Sequence, residues 1–349
     1  LSDAMKLPDC PKLGRSSRVV SSLLSLMAAV FLLAACSSNE PSPLNYVEPL
    51  DSPRGLAPLA DGNMLIAEGG AGRLLLLDNK NRISVLQDNL PRLLDGPEGE
   101  PVGISAAIEM EGAYYYIIGE ARAKGFREVY SLTPGTPPKP LTGQDPLGID
   151  HPNPLTNPYD LVASKAGGLL ISDAGANAVW HVTLDGDITL FATLEAVSYT
   201  ADDGTAQTQP VPTGMARGPD GAVYVATLTG FPFPSGAANI IRLEDTNGDG
   251  DALDEGESTV YASGFTAATD VAFEPDGSML VTEYSQNMRE LAASGFGESS
   301  KYNGRLLRWR DGGFTVVATG LVSPTAVAVM NGRIYVSEEF AGQVRIIEP

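Results

Sequence analysis

One short pattern recurs six times along this chain and constrains its fold more than any other feature. Each copy contains an extended segment, a turn dipeptide such as Asp61-Gly62 or Asp220-Gly221, and an apolar strand. The copies begin at Pro53, Pro101, Pro158, Pro212, Ala268 and Pro324. A period of roughly 50 residues indicates one supersecondary unit repeated in tandem.

Each copy contains enough β-forming sequence for four antiparallel strands. In the copy that begins at Pro212, strands are predicted over 213–216, 222–226, 239–243 and 258–261. Glycine in the turn dipeptide tolerates the positive φ that two-residue hairpins need. Four strands in about 50 residues are typical of a propeller blade. The predicted fold class is therefore all-β, a six-bladed β-propeller.

The two ends of the repeat region are predicted to close the ring. The last copy reaches only its third strand, at 344–347, whereas the segment Asn45 to Leu50 before the first copy resembles an outer strand. We expect this segment, about 45–50, to complete the last blade, because closure removes two exposed sheet edges. The alternative is a disordered tether followed by an open solenoid.

The first 35 residues are predicted to be a signal peptide rather than part of the fold. A basic leader precedes an apolar run, Val19 to Ala35, that is short and early for a membrane span. The run ends in Leu33-Ala34-Ala35-Cys36, which resembles a bacterial lipoprotein signal. That resemblance implies lipidation at Cys36, a tether over 36–44 and a propeller over 45–349. With Ser37, it also implies an extracytoplasmic protein, with the outer membrane favoured. An ordinary secretory peptide is the alternative.

Composition narrows the classes of partner. The chain has 43 acidic and 23 basic residues. This excess of negative charge disfavours binding to nucleic acid and to anionic lipid surfaces and favours binding of cations. Contact with the membrane is expected through the lipid anchor only, and we expect a monomer. Cys10 and Cys36 are the two cysteines, so the mature chain is predicted to hold no disulfide.

An acidic residue recurs where the second strand of a copy ends. Glu68, Asp173 and Glu283 lie in register, and Glu120 and Glu338 join them if two hairpins differ in length. A ring of carboxylates could bind a divalent cation or a cationic substrate. The favoured alternative is that these acids accept hydrogen bonds from backbone N–H groups of the following turns.

The segment Asp245-Thr246-Asn247-Gly248-Asp249-Gly250-Asp251 is the strongest metal-binding signal. It matches the first half of a calcium loop, with oxygen ligands at alternate positions and glycine at the sixth. The twelfth position is Gly256, so a nearby acid would have to replace the usual glutamate. The predicted ligands of a structural Ca²⁺ are Asp245, Asn247, Asp249, Asp251 and Glu257. No other cofactor is predicted, and with two histidines, His151 and His181, a zinc site is disfavoured.

Three loops exceed what a propeller requires: 143–157, 197–210 and 284–303. Another distinctive segment, Leu228 to Gly236, sets Phe231 and Phe233 between prolines just after a predicted strand. Rigid aromatic side chains suit stacking on a flat ligand. Packing against a neighbouring loop is an equal alternative.

Several of these phrases resemble the ScyD/ScyE family. They are Asn157 to Leu161, Asp173 to Val179, Val211 to Gly214 and, most specifically, Leu228 to Ala238. The resemblance covers nearly all of the predicted mature chain. It implies an extracytoplasmic, NHL-like propeller and a link to an indole–phenol sunscreen pathway or its transport. It implies no catalytic residue set.

The predicted function is binding of a small ligand, with an aromatic one favoured, or of an envelope partner. The predicted contact residues are Phe231, Phe233, Asp160, Asp173, Asp270 and Glu283. One alternative is a Ca²⁺-assisted hydrolase or lactonase similar to gluconolactonase propellers, although the asparagines of that family have no counterpart here. Another is a protein-interaction scaffold. The sequence leaves open whether the protein is an enzyme.

Overall fold

The repeat folds as a ring of sheets. The structure, a computed structural model, describes residues 46–47, 49–96, 100–142, 154–201, 203–294 and 302–348. Within those ranges the chain forms six four-stranded antiparallel sheets and one two-stranded hairpin. The six sheets are the blades of one β-propeller. The all-β class and the six-bladed ring that the sequence predicts are confirmed.

Four blades follow chain order without interruption. Blade 1 contains β2 to β5, which are Pro53–Pro58, Met64–Glu68, Arg73–Leu77 and Ile83–Gln87. Blade 2 contains β6 to β9, which are Ile104–Met110, Ala113–Ile118, Val129–Leu132 and Lys139–Pro140. Blade 3 contains β10 to β13, which are Pro158–Ala163, Leu169–Asp173, Ala178–Val182 and Ile188–Thr193. A hairpin of two strands follows, β14 (Val197–Ala201) and β15 (Gly204–Thr208). Blade 4 then contains β16 to β19, which are Pro212–Arg217, Val223–Thr227, Ala238–Leu243 and Ser258–Phe265.

The last two blades hold a helix and the ring closure. Blade 5 contains β20 to β23, which are Ala268–Phe273, Met279–Glu283, Gly304–Arg310 and Gly313–Leu321. The helix α1, Met288–Ser294, lies between β21 and β22. Blade 6 contains β24 to β26, which are Pro324–Met330, Arg333–Glu338 and Gln343–Ile347, and it is completed by β1, Tyr46–Val47.

Strand β1 closes the ring as predicted. Tyr46 pairs with Arg345 and Val47 with Val344 in an antiparallel ladder. The backbone N–H of Leu50 then donates to the carbonyl of Gly342 over 2.9 Å. Within the predicted segment 45–50, the described residues Tyr46 and Val47 pair with β26, and Asn45 and Glu48 lie outside the described residues.

Blade stacking explains why the second strands read as continuous apolar runs. All five residues of β3, β11, β17 and β21 are buried, because each strand packs against blades on both faces. The turns that precede these strands place Gly62, Gly221 and Gly277 at φ of 82°, 84° and 86°. This left-handed conformation is one that glycine adopts without steric cost.

The second copy differs from the prediction. Its innermost strand begins at Ile104, not Pro101, and Ile104 pairs with Ile118 where Pro158 pairs with Asp173 in blade 3. Glu120, which was expected to share the strand-end position with Glu68, lies two residues beyond it. The expectation for Glu120 was therefore wrong, because the segment that enters this blade is longer than the repeat spacing indicated.

The long loops carry structure of their own. The predicted polar loop 197–210 is mostly the hairpin β14–β15, and 284–303 contains α1. Most of loop 143–157, including His151, lies outside the described residues, as does Cys36. Among the helices of the described ranges, none has the length and apolar character to cross a membrane.

Candidate functional site

A cavity of about 460 Å³ opens where the innermost strands begin and the second strands end. Its lining comes from all six blades, and includes the start of β2, the start of β10 and the loop that follows β17. A volume of this size lies in the range of small-molecule sites. We call it the mouth cavity.

Aromatic side chains form much of the wall of the mouth cavity. Phe231, Phe233, Tyr159, Tyr284 and Phe340 all line it. The rings of Phe231 and Phe233 meet edge to face, with centroids 6.2 Å apart. Phe231 is 78% exposed, whereas Phe233 packs on the apolar cluster around α1. Packing against a neighbouring segment is therefore seen for Phe233, whereas stacking of the exposed Phe231 ring on a ligand stays a prediction.

The loop that carries these phenylalanines is held by the end of β15. The hydroxyl of Thr208 donates to the carbonyls of Gly230 and Phe231, over 2.9 and 3.3 Å. The N–H of Thr229 donates to the carbonyl of Pro210 over 3.0 Å. These bonds fix the position of the loop relative to blade 4, so the exposed Phe231 ring is displayed from an anchored backbone.

The floor of the mouth cavity is an ion pair between opposite ends of the chain. Arg54 Nη1 donates to Glu339 Oε1 over 3.2 Å, and their side chains are 19% and 4% exposed. The guanidinium also lies 5.3 Å from the centre of the Tyr159 ring. Burial lowers the pKa of Arg54, but the charge of Glu339 and the smaller contributions of Tyr159, Tyr284 and Glu100 together outweigh that effect and leave the pKa raised. Arg54 is therefore a permanent cation at the floor.

Burial also perturbs the other titratable groups of the floor. It raises the pKa of Glu339, and the charge of Arg54 opposes that rise. Burial likewise raises the pKa values of Tyr159 and Tyr284 well above the ordinary range. Both hydroxyls therefore remain protonated near neutral pH, and the Tyr284 hydroxyl is hydrogen-bonded to Tyr302.

Arg54 and Tyr159 occupy a position that has another role in the remaining blades. The second residue of the innermost strand is Ser105, Thr213, Thr269 or Thr325 in blades 2, 4, 5 and 6. Each of these hydroxyls donates to the carbonyl that begins the next innermost strand, at Pro158, Ala268, Pro324 and Pro53 respectively. Blades 1 and 3 lack this inter-blade bond and instead place Arg54 and Tyr159 at the cavity.

Asp160 and Asp270 line a second space of about 310 Å³ on the axis, which we call the lower channel. It shares Arg54 and Tyr159 with the mouth cavity. Each aspartate also joins two blades: Asp160 Oδ2 accepts the N–H of Met215, and Asp270 Oδ2 that of Val327, both over 2.7 Å.

The pKa values of both carboxyl groups in the lower channel are raised. Burial raises the pKa of Asp160 to about 6. Burial and the charge of Asp160 raise the pKa of Asp270 well above its ordinary value. Asp270 also packs tightly on the neighbouring blade, since a Cβ on Gly214 would lie 2.0 Å from its Oδ1.

Asp173 and Glu283, the other two acids predicted to contact a ligand, are fully buried within their own blades. Asp173 accepts hydrogen bonds from the turns on both sides of it, including the N–H groups of Asn157 and Ala176. Glu283 pairs with Arg305 and accepts the N–H of Thr266. Glu68 and Glu338 make the same kind of contact, with Arg73 and Arg345. In the structure these strand-end acids support turns and strands, and they lie outside the linings of the mouth cavity and the lower channel.

The predicted calcium loop lies between β18 and β19. The carboxylate of Asp245 accepts the N–H groups of Gly248 and Gly250, and Glu257 accepts the N–H of Thr246 over 2.8 Å. Asn247 donates to Asp249 over 3.1 Å. Throughout the described ranges, no group of three or more His, Cys, Asp or Glu side chains is arranged to hold a metal ion. Calcium binding by Asp245, Asn247, Asp249, Asp251 and Glu257 stays a prediction.

The structure brings together some of the predicted contact residues and adds others. Phe231 and Phe233 meet at the mouth cavity, and Asp160 and Asp270 at the lower channel. Sequence reasoning missed Arg54, Tyr159, Tyr284, Glu339 and Phe340. A signal for the first two was present, because three of the other aligned copies have threonine at the equivalent position, namely Thr213, Thr269 and Thr325.

Solved structures share this fold at low sequence identity. No family model and no curated protein matches the chain. A gluconolactonase from Xanthomonas campestris matches with a TM-score of 0.57 and 14% identity, over 87% of this chain and 88% of that one. A catalytically inactive virginiamycin B lyase from Staphylococcus aureus with quinupristin matches with a TM-score of 0.54 and 13% identity, over 88% and 98%. A nidogen/laminin complex matches with a TM-score of 0.52 and 12% identity, over 82% and 93%.

The descriptions of these three structures name different functions. One is described as a lactonase, one as a lyase and one as a complex between proteins. At such identity the similarity shows the propeller fold alone, because one fold carries many unrelated activities. Function has to be argued from the side chains of the mouth cavity.

Proposed function

We propose that this propeller binds a small ligand with a flat aromatic ring in the mouth cavity. The observation that carries the proposal is the aromatic wall, in which an exposed Phe231 stands beside a packed Phe233. A contiguous apolar patch that is rimmed by polar residues is typical of a ligand-binding groove. The anchored loop means that little conformational entropy is lost when a ligand stacks on the ring.

We further propose that the protein acts outside the cytoplasm as a lipid-anchored propeller of the ScyD/ScyE type. The support is the lipoprotein-like phrase that ends at Cys36 and the phrase Leu228 to Ala238, which lines part of the mouth cavity. A ligand delivered by an envelope partner would enter by the same cavity. The lactonase and lyase structures share the fold, and no reaction is carried over from them.

The proposal is tested by titrating the protein with 2-acetylnaphthalene, a neutral two-ring probe, and following binding by calorimetry. Phe231→Ala should weaken binding about three- to tenfold, the usual effect of losing an aromatic pair. Its melting temperature should change little, because the side chain is 78% exposed.

Phe314→Ala is the matched control. Phe314 is also an exposed phenylalanine, at 39%, but it lies on the outer strand β23 away from the cavity. This variant should bind the probe as the wild type does. Equal binding by the wild type and by Phe231→Ala would refute the role of the aromatic wall.

A further inference from the structure

We infer that the mouth cavity selects a neutral planar ligand whose buried end carries a hydrogen-bond-accepting oxygen, such as a carbonyl, and that Arg54 recognises this oxygen. The inference rests on the proposed binding function and specifies the ligand further. The residues concerned form the floor of the cavity, whereas the binding function rests on the aromatic residues of its wall.

The first argument is the position of Arg54 in the repeat. Four of the six blades use a hydroxyl at this position to bond the next blade. An arginine at the seam between the first and second blades gives up such a bond and requires a buried carboxylate, Glu339, to compensate its charge. Replacing a small inter-blade contact by a buried ion pair brings little stability. The presence of arginine in place of serine or threonine is explained if the guanidinium binds a ligand in the mouth cavity, which it lines.

The second argument is the donor capacity of Arg54. A guanidinium carries five N–H donors. With the residues that the structure describes, the Arg54 side chain makes one hydrogen bond, through Nη1 to Glu339. One face of the group lies toward the ring of Tyr159. The partly exposed guanidinium therefore has N–H donors that can bond a ligand in the mouth cavity. Because a guanidinium has no acceptor atom, the ligand atom that it bonds must be an acceptor.

The third argument is the charge of the lining. Among its described residues the mouth cavity has one cationic side chain, Arg54, which is already paired with the acid Glu339, and Glu120 is a further acid in the lining. The acids outnumber the arginine, so a carboxylate ligand would be repelled on balance. A neutral oxygen accepts from Arg54 without adding another negative charge. Burial strengthens this hydrogen bond, because water competes poorly at the floor.

The experiment compares three naphthalene probes that differ at one substituent. 2-Acetylnaphthalene has the carbonyl, 2-isopropylnaphthalene has nearly the same shape without it, and 2-naphthoate adds a charge. The wild type should bind the acetyl probe about tenfold or more tighter than the isopropyl probe, the range of a hydrogen bond to a charged group. 2-Naphthoate should bind more weakly than the acetyl probe.

The diagnostic variant is the double substitution Arg54→Met with Glu339→Gln. It removes the donors but leaves no unpaired buried charge, which a single substitution would create. The preference for the acetyl probe should fall below about twofold, while the affinity for the isopropyl probe is retained. The matched control is Arg308→Met with Glu274→Gln, an ion pair on blade 5 outside the cavity, which should keep the full preference.

Arg54→Lys provides a second reading if the double variant does not fold. It retains the charge opposite Glu339 but removes the planar fork of donors, so the preference for the acetyl probe should shrink. Equal binding of the acetyl and isopropyl probes by the wild type would overturn the inference alone, as would an undiminished preference in the double variant. Tightest binding of 2-naphthoate would overturn it as well. If no probe binds, the proposed function fails and the inference falls with it.

Discussion

Two aspartates of blade 3 should respond in opposite ways when their charge is removed. Burial raises the pKa of Asp160 from 3.8 to about 6, so the folded protein resists ionisation of this group at neutral pH. A shift of that size corresponds to at most about 3 kcal/mol of lost stability at pH 7. Solvent in the lower channel reduces the effect, so we expect Asp160→Asn to stabilise the protein by about 1–3 kcal/mol.

The pH dependence follows from the same shift. Below about pH 4 the Asp160 carboxyl group is protonated in both the folded and the unfolded chain, so its pKa shift does not change the free energy of unfolding. Between about pH 4 and 6 the folded state binds more protons, so wild-type stability falls as the pH rises. Asp160→Asn should therefore melt at a higher temperature than the wild type at pH 7 and at nearly the same temperature at pH 4. The amide oxygen still accepts the N–H of Met215, which keeps the blades joined.

Asp173→Asn should have the opposite effect. Asp173 Oδ1 accepts the hydroxyl of Thr156 and the N–H groups of Asn157, Gly175 and Ala176, and Oδ2 accepts the N–H of Thr156 over 2.7 Å. An amide replaces one of these oxygens with a donor, which leaves a buried N–H without an acceptor. The cost is about 1–3 kcal/mol. Differential scanning calorimetry at pH 4 and pH 7 measures the melting temperatures of both variants. A lower melting temperature of Asp160→Asn than of the wild type at pH 7 would refute the claim that burial in the lower channel disfavours the charged form of Asp160.

Three further predictions concern the ring seam, the calcium loop and the amino-terminal segment. Thr325→Val should lower the free energy of unfolding by about 1–2 kcal/mol in denaturant titrations, because its hydroxyl bonds Pro53 across the closure; an unchanged midpoint would contradict this. If Asp245 to Asp251 bind Ca²⁺, a chelator should lower the melting temperature of the wild type but not of Asp245→Ala, and no change in the wild type would count against the site. Cys36→Ala should move the full chain from the membrane to the soluble fraction; equal fractionation would refute the lipid anchor.

Most of the architecture could be predicted because blades are built from local signals. Turn dipeptides such as Asp220-Gly221 and apolar runs such as β17 specify hairpins within a few residues of themselves. The second copy shows the limit of this reasoning. The repeat spacing indicated that this copy begins at Pro101 and that its strand-end acid is Glu120. The strand pairing shows that the innermost strand begins at Ile104, which places Ile118, and not Glu120, at the strand-end position.

The number of blades and the strand that closes the ring could both be predicted from the amino-acid sequence. These follow from hydrophobic periodicity and turn chemistry, which act between neighbours along the chain. The side chains that share a cavity are known from the folded ring and not from the sequence: Arg54 and Glu339 are 285 residues apart, and Asp160 accepts the N–H of Met215 across a blade interface. Such contacts depend on how the blades stack around the axis. No local pattern encodes that stacking, because each blade presents its inner residues to partners that are distant along the chain.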